Sequence, residues 1–314
     1  MTVHRVLVTG ASGFVGTHLL PALRLAFPDA EITGTSTRDH PHLATLDVTS
    51  AAAVTALVEA TRPDACIHLA AISAIPAARQ DPDRTWRVNL HGTLNVARAM
   101  LAVVPQSTLV FSSSAEIYGT SFASGLKLDE SALLAPRNTY AASKAAADLA
   151  LGALGADGLR AIRLRLFNHT GAGQSDAFVV AAFARQIARV EAGQQPPAIK
   201  VGALESWRDF LDVQDAVAAY IACLRAAETL PPQEVLNIAS GTPRRIGDIL
   251  SGLMALSGVS ATVESAAALL RPGDIPMAIG DAGKAAAALD WAPRVPWAET
   301  LQRVLTDWRA RVRA

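Results

Sequence analysis

The 314-residue sequence predicts an α/β fold, a doubly wound parallel sheet followed by a smaller C-terminal α/β unit. Three observations carry this. Short β-branched runs alternate with longer alanine-rich stretches through the first half, the pattern of βαβ units. A glycine-rich turn stands between the first strand-like run and the first helix-like run. Beyond residue 166 the alternation gives way to shorter pieces punctuated by Pro196-Pro197, Pro231-Pro232, Pro272 and Pro276. At ~150 residues per domain the length leaves room for a second unit.

Taken in order, residues 3–9 read as a buried strand and residues 16–27 as the helix after it. Strands follow at 31–35, near 44–46, at 65–69, at 108–113 and at 159–165. Helical spacing covers 51–61, 85–102 and 140–154. The first domain is therefore expected over 1–166, with 209–236 returning to it. The second is expected over 167–208 and 237–314.

Composition excludes several classes. Hydrophobic residues make up 51% and charged residues 18%, enough apolar material for a sizeable core. The 28 basic and 28 acidic residues cancel, so no net field draws the chain to nucleic acid or anionic lipid. Two cysteines, Cys66 and Cys223, are too few for a disulfide framework or a structural metal site. No apolar run approaches the ~18 residues of a membrane span. The sequence enters a strand at once rather than a secretory signal. A cytoplasmic protein is expected, with no metal and no nucleic-acid or membrane partner.

The first strand runs into Gly10-Ala-Ser12-Gly13-Phe14-Val15-Gly16. Gly10 permits the tight turn, Gly13 lets a pyrophosphate approach the backbone, and Gly16 lets the helix pack on the strand. Exposed N–H groups and the helix dipole favour the anion. Between a first strand and a first helix, this spacing marks a Rossmann-type dinucleotide site. A carboxylate about 20 residues further on would hold the ribose 2′-hydroxyl of NAD. Here Gly34-Thr35-Ser36-Thr37-Arg38 offers hydroxyls and a guanidinium instead, which suit a 2′-phosphate. NADP is therefore expected ahead of NAD.

Tyr140 and Lys144 lie four residues apart, on one helical face. An ammonium beside a phenol should lower the tyrosine pKa towards working pH. Ser112-Ser113-Ser114-Ala-Glu116 falls at the carboxyl end of a strand, the end that faces the ligand crevice in an open α/β sheet. Ser114, Tyr140 and Lys144 can then surround a carbonyl oxygen that gains or loses hydride.

These motifs resemble the extended short-chain dehydrogenases/reductases of nucleotide sugars. Gly10/Gly13/Gly16, Asp47-Val48, His68-Leu69-Ala70-Ala71, Asn89 with Gly92-Thr93, Ser112–Ser114, Tyr140/Lys144 and Arg165-x-Phe167-Asn168 fall in that family's order. The resemblance implies that Asp47 and Val48 flank the adenine and that Leu69, Ala70 and Ala71 line the cofactor channel. Asn89 supports its helix, Lys144 bonds the nicotinamide ribose, and Ser112 and Phe167 belong to the same surface. Phe167-Asn168-His169 through Phe178-Val179, then Lys200-Val-Gly202-Ala-Leu204 through Arg208, are similar to the substrate stretch of GDP-sugar enzymes, with Ser114 and Glu116 facing the sugar. Ala203 departs from the asparagine usual there. Arg208 and Arg271 are expected to clamp the diphosphate.

The wording around Ser114, Phe167-Asn168-His169 and Lys200-Val-Gly202 implies a GDP-4-dehydro-6-deoxy-mannose reductase (GDP-rhamnose forming). The alternatives are a GDP-mannose 4,6-dehydratase with Glu116 as its base, another nucleotide-sugar reductase or epimerase, and a non-catalytic NADP-binding regulator. Family relatives pair the two helices at 85–102 and 140–154 across a two-fold axis, so a homodimer is expected, able to pair further into a tetramer.

Overall fold

The computed structural model describes residues 3–269 and 275–313. In the first half β1 (Arg5–Thr9), β2 (Glu31–Ser36), β3 (Ala44–Thr45), β4 (Ala65–His68), β5 (Thr108–Ser114) and β6 (Arg160–Leu166) alternate with helices. These are α1 (Phe14–Ala26), α2 (Ala51–Thr61), α3 (Ile75–Gln80), α4 (Pro82–Trp86), α5 (Thr93–Val103) and α6 (Thr139–Ala153). The second half contributes β7 (Asn168–Thr170), α7 (Val179–Glu191), β8 (Ala198–Val201), β9 (Trp207–Asp212), α8 (Val213–Ala226) and β10 (Gln233–Ile238). After these come β11 (Pro243–Arg245), α9 (Ile246–Ser257), β12 (Thr262–Ser265), β13 (Met277–Ala278), α10 (Gly283–Leu289) and α11 (Trp297–Arg313).

Seven parallel strands form the main sheet in the order β10-β6-β5-β4-β1-β2-β3. The strand order reverses at β1, where β2 pairs on one side and β4 on the other. Ligands bind at such a switch point, outside the carboxyl ends of the strands. Side-chain alternation assigns each face its helices. Val6, Val8, Ile67 and Val110 pack against α1 and α8, whereas Leu7, Cys66, Leu109 and Phe111 pack against α2, α5 and α6.

The single helix expected over 85–102 is built as α4, a π-helical turn over Arg87–Gly92, and α5. The wider turn brings Asn89 to a fully buried position. Residues 209–212 belong to β9, which pairs with β7, β11 and β13 in a smaller sheet. The chain returns to the main sheet only with α8 and β10, the latter beside β6. A separate apolar cluster joins α7, α9 and α11 to Ile199, Val201 and Phe210. Among the described residues, no helix is long and apolar enough to cross a membrane.

Candidate active site

A cavity of about 660 Å³ runs along the carboxyl ends of β1, β4 and β5 and on between α7, β8 and β9. Its volume lies in the range of ligand sites.

At one end stands the glycine loop. Gly10 has a left-handed φ of +70°, and a Cβ there would sit 2.7 Å from the Ala70 backbone. At Gly16 a Cβ would meet the Ala11 carbonyl oxygen at 2.4 Å. Both positions need glycine because the loop is pressed against β4 on one side and against its own first turn on the other. Gly13 caps α1 with no side-chain hydrogen bond, and no carboxylate stands in the first turn. The N–H groups at this helix start are thus left for an anion, and the loop fits a pyrophosphate.

After β4, His68 bonds Thr9 Oγ1 at 2.6 Å and Thr93 Oγ1 at 3.0 Å. Burial, together with the charge of Lys144, lowers its pKa to about 3, so it is a neutral strut at neutral pH. Asn89 accepts from the Ile72 N–H at 2.8 Å and donates to the Ile72 carbonyl and to Ser143 Oγ. It does not line the cavity but holds the strand-end loop that does, joining it to α6.

Ser112, Ser113 and Ser114 end β5. Ser114 Oγ accepts from the Glu116 N–H at 3.2 Å and hydrogen-bonds Tyr140. Lys144 Nζ donates to the Ser112 carbonyl at 2.6 Å and lies 4.7 Å from the centre of the Phe111 ring. Ser114, Glu116, Tyr140 and Lys144 therefore meet in one cavity wall. The expected lowering of the tyrosine pKa is not found. Burial pushes the Tyr140 phenol up to about 12; the Ser114 bond opposes this and the Glu116 charge adds to it. Lys144 cannot pull it back. Its ammonium is held by Ser112, and its own burial brings it down to about 7 despite the Asp148 carboxylate.

The other expected residues sort clearly. Ser12, Phe14, Val15, Asp47, Val48, Leu69, Ala70, Ala71, Ser112, Phe167, Asn168, Val179, Lys200, Gly202 and Arg208 line the cavity. Thr35, Ser36 and Arg38 do not. The Thr35 side chain is 1% exposed within the sheet, and its carbonyl accepts from the Ala11 N–H. Ser36 Oγ is occupied by Ser12 Oγ and the Arg38 N–H, and Arg38 stands exposed beyond it. Thr37, passed over in the sequence, takes the lining position because the strand ends one residue before it. Leu204 packs against the α7–α9–α11 cluster instead of the cavity. Arg271 lies outside the described residues.

At the far end Gln186 fixes the Lys200 backbone, accepting from its N–H at 2.8 Å and donating to its carbonyl at 3.0 Å. Asn168 donates to the Asp209 carbonyl. Arg208 Nη1 donates to the Trp207 and Ile275 carbonyls, which holds the guanidinium at the cavity wall. Gln174 and Asp176, inside the stretch from Phe167 to Val179 read as substrate-binding, also line the cavity. Sequence reasoning missed Arg84 and Phe122, and neither sits in a spacing that marks it. Among the described residues no cluster of His, Cys, Asp and Glu could hold a metal ion.

The NAD dependent epimerase/dehydratase family matches residues 6–239. Over 310 residues the chain is 36% identical to the GDP-6-deoxy-D-mannose reductase of Pseudomonas aeruginosa, with 98% of each covered. It is 30% identical over 283 residues to the GDP-6-deoxy-D-talose 4-dehydrogenase of Aggregatibacter actinomycetemcomitans, with 89% of each covered. The structure of RMD from Pseudomonas aeruginosa complexed with NADPH matches with a TM-score of 0.86 at 33% identity, covering 98% of this chain and 99% of that one.

Proposed function

The chain belongs to the NAD dependent epimerase/dehydratase family, and from that premise we propose that it reduces the C4 keto group of a GDP-4-keto-6-deoxyhexose with NADPH. The reaction in mind converts GDP-4-dehydro-6-deoxy-D-mannose to GDP-D-rhamnose. One observation carries the reading: a single cavity is lined by the glycine loop, by Ser114, Tyr140 and Lys144, and by Asn168, Lys200 and Arg208. Likeness to a GDP-6-deoxy-D-mannose reductase and to a complex with NADPH supports the choice of substrate and cofactor.

When bound, NADPH supplies a hydride to C4. The protein's own residues do the rest. The start of α1 and Gly13 would receive the cofactor's pyrophosphate, Asp47 and Val48 would flank its adenine, and Thr37 with the exposed Arg38 would hold a 2′-phosphate. Ser114 donates a hydrogen bond to the C4 oxygen. Tyr140 passes its phenolic proton to that oxygen as the C4–O bond becomes single, so the product is a neutral alcohol. A phenol with a raised pKa holds this proton throughout the neutral range, which suits reduction. Lys200 and Arg208 face the diphosphate of the substrate. Residues 1–166 with α8 and β10 hold the cofactor, and the small sheet with α7, α9 and α11 holds the sugar nucleotide. The protein acts as a homodimer able to pair further. The cytoplasm is its compartment, in keeping with Cys66 and Cys223 as buried free thiols.

Glu116 favours a second reading. Its carboxylate lines the cavity and acts on Tyr140, as the base of a 4,6-dehydratase would. Stoichiometry separates the two. A dehydratase returns its hydride to C6 and consumes no net NADPH, whereas a C4 reductase consumes one per sugar. With freshly made GDP-4-keto-6-deoxymannose, NADPH should be oxidised one-to-one with product; GDP-mannose with NADP should give nothing. Conversion of GDP-mannose without net NADPH loss would overturn the reductase reading.

A further inference from the structure

We propose that Asp148 is a positioning residue for this reduction: its buried carboxylate ties the end of β5 to α6 and β6, and so holds Ser114, Tyr140 and Lys144 in register. The chemistry rests on the reductase reading; the geometry does not.

Asp148 lies one helical turn beyond Lys144 and is 0% exposed. Its Oδ2 accepts from Ser113 Oγ at 2.6 Å, between the two serines that contact the reacting groups. Ser112 on one side gives its carbonyl to Lys144, and Ser114 on the other hydrogen-bonds Tyr140. Fixing Ser113 to α6 therefore sets both contacts at once. From β6, Arg165 forks onto the same carboxylate, Nε to Oδ2 at 3.3 Å and Nη2 to Oδ1 at 3.1 Å. Arg163 adds Nη1 to Oδ1 at 3.3 Å and to the Asp148 carbonyl at 3.0 Å. Arg165 also reaches Tyr118 Oη at 3.1 Å, so the segment that carries Glu116 is held by the same network.

The arrangement also sets charge. The titratable groups around Lys144 are Asp148 and Tyr140 on α6, Arg163 and Arg165 on β6, His68 on β4, Glu116 after β5, and Tyr220 on α8. His68 is neutral and both tyrosines hold their protons near neutral pH. Asp148 is thus the buried anion shared by three cations, and it favours the ammonium form of Lys144. A buried carboxylate that loses its charge leaves those cations uncompensated.

Asp148→Asn keeps the shape and removes the charge, and Ser113→Ala removes one bond and keeps the charge. In the full-length protein, Asp148→Asn should lower kcat by about 10²-fold, the scale of a misplaced reacting group, with KM for NADPH unchanged. Ser113→Ala should lower kcat less. The chain has four lysines, Lys127, Lys144, Lys200 and Lys284, so competitive acetylation read by mass spectrometry follows each separately. In Asp148→Asn the Lys144 midpoint should move to lower pH while the other three stay. A folded Asp148→Asn with wild-type kcat and Lys144 midpoint overturns the proposal. If that variant does not fold, wild-type kcat in Ser113→Ala overturns it. If the wild type fails to reduce the keto sugar, the reductase reading falls and the Lys144 midpoint still decides the role of Asp148.

Discussion

Tyr140 and Lys144 differ in protonation in a way their spacing alone does not reveal. The four-residue interval puts both on one face of α6 and is legible in the sequence. Their protonation is not, because it depends on burial by β5, β4 and the segment after Ser114, all distant in sequence. Tyr140 holds its proton up to about pH 12, so Tyr140→Phe should cost roughly 10²–10⁴-fold in kcat while NADPH affinity, measured by fluorescence titration, stays as in the wild type. Lys144 falls from 10.5 to about 7 through burial, so between these values the unfolded chain binds a proton that the folded chain does not. Stability from this group therefore rises with pH across that window and is lost as pH falls towards 7. Melting curves should show wild type losing ground to Lys144→Met on acidification from pH 10 to pH 7; a constant gap would contradict the burial argument. The end of β2 teaches the same lesson. Hydroxyls and a guanidinium in place of a carboxylate are readable, but which of Thr35, Ser36 and Thr37 faces the cavity depends on where the strand stops. Arg38→Ala should weaken NADPH and leave NADH binding as it is, and an unchanged preference between the two would remove the 2′-phosphate from this edge.

At the scale of elements, the first half was legible because each strand is short, β-branched and followed by a helix of near-regular spacing. The π turn over Arg87–Gly92 left no mark, since inserting one residue per turn changes no residue type. The second half was legible only as a loss of regularity. Its small sheet pairs β9 with three strands from distant parts of the chain, and such pairing is set by tertiary packing. The join between β1 and α1 is where element geometry and binding meet most directly. Gly16→Ala would drive a Cβ to 2.4 Å from the Ala11 carbonyl oxygen, which only a shift of the helix start can relieve. Overpacking of this kind costs about 1–3 kcal/mol. Denaturant titration should show that loss, and NADPH affinity should fall with it if the displaced N–H groups bind the pyrophosphate as proposed. Wild-type affinity in a destabilised Gly16→Ala would separate the helix start from the anion site.

At the scale of the whole molecule, α5 and α6 cover one face of the sheet and leave an outer surface that the single chain does not bury. Leu149 is 60% exposed on α6, beside the small side chains of Ala142, Ala146 and Ala150 one turn apart on the same side. Val96, Ala97 and Met100 of α5 are already buried against the sheet and Leu101 packs against the same cluster, so its apolar inner stripe is satisfied, while Leu94 stays half-buried. Small residues let two such helices approach closely, and a two-fold axis would bring each Leu149 against the partner's copy of the same face, an isologous contact. A formal net charge of zero offers no general repulsion to oppose it. Light scattering at micromolar concentration should therefore give the mass of a dimer or of a pair of dimers. Leu149→Glu places a charge on each side of the axis and should shift the protein to monomer while NADPH still binds, since Leu149 does not line the cavity. A monomeric wild type, or an unchanged mass in Leu149→Glu, would show that a second copy of the chain does not cover this face.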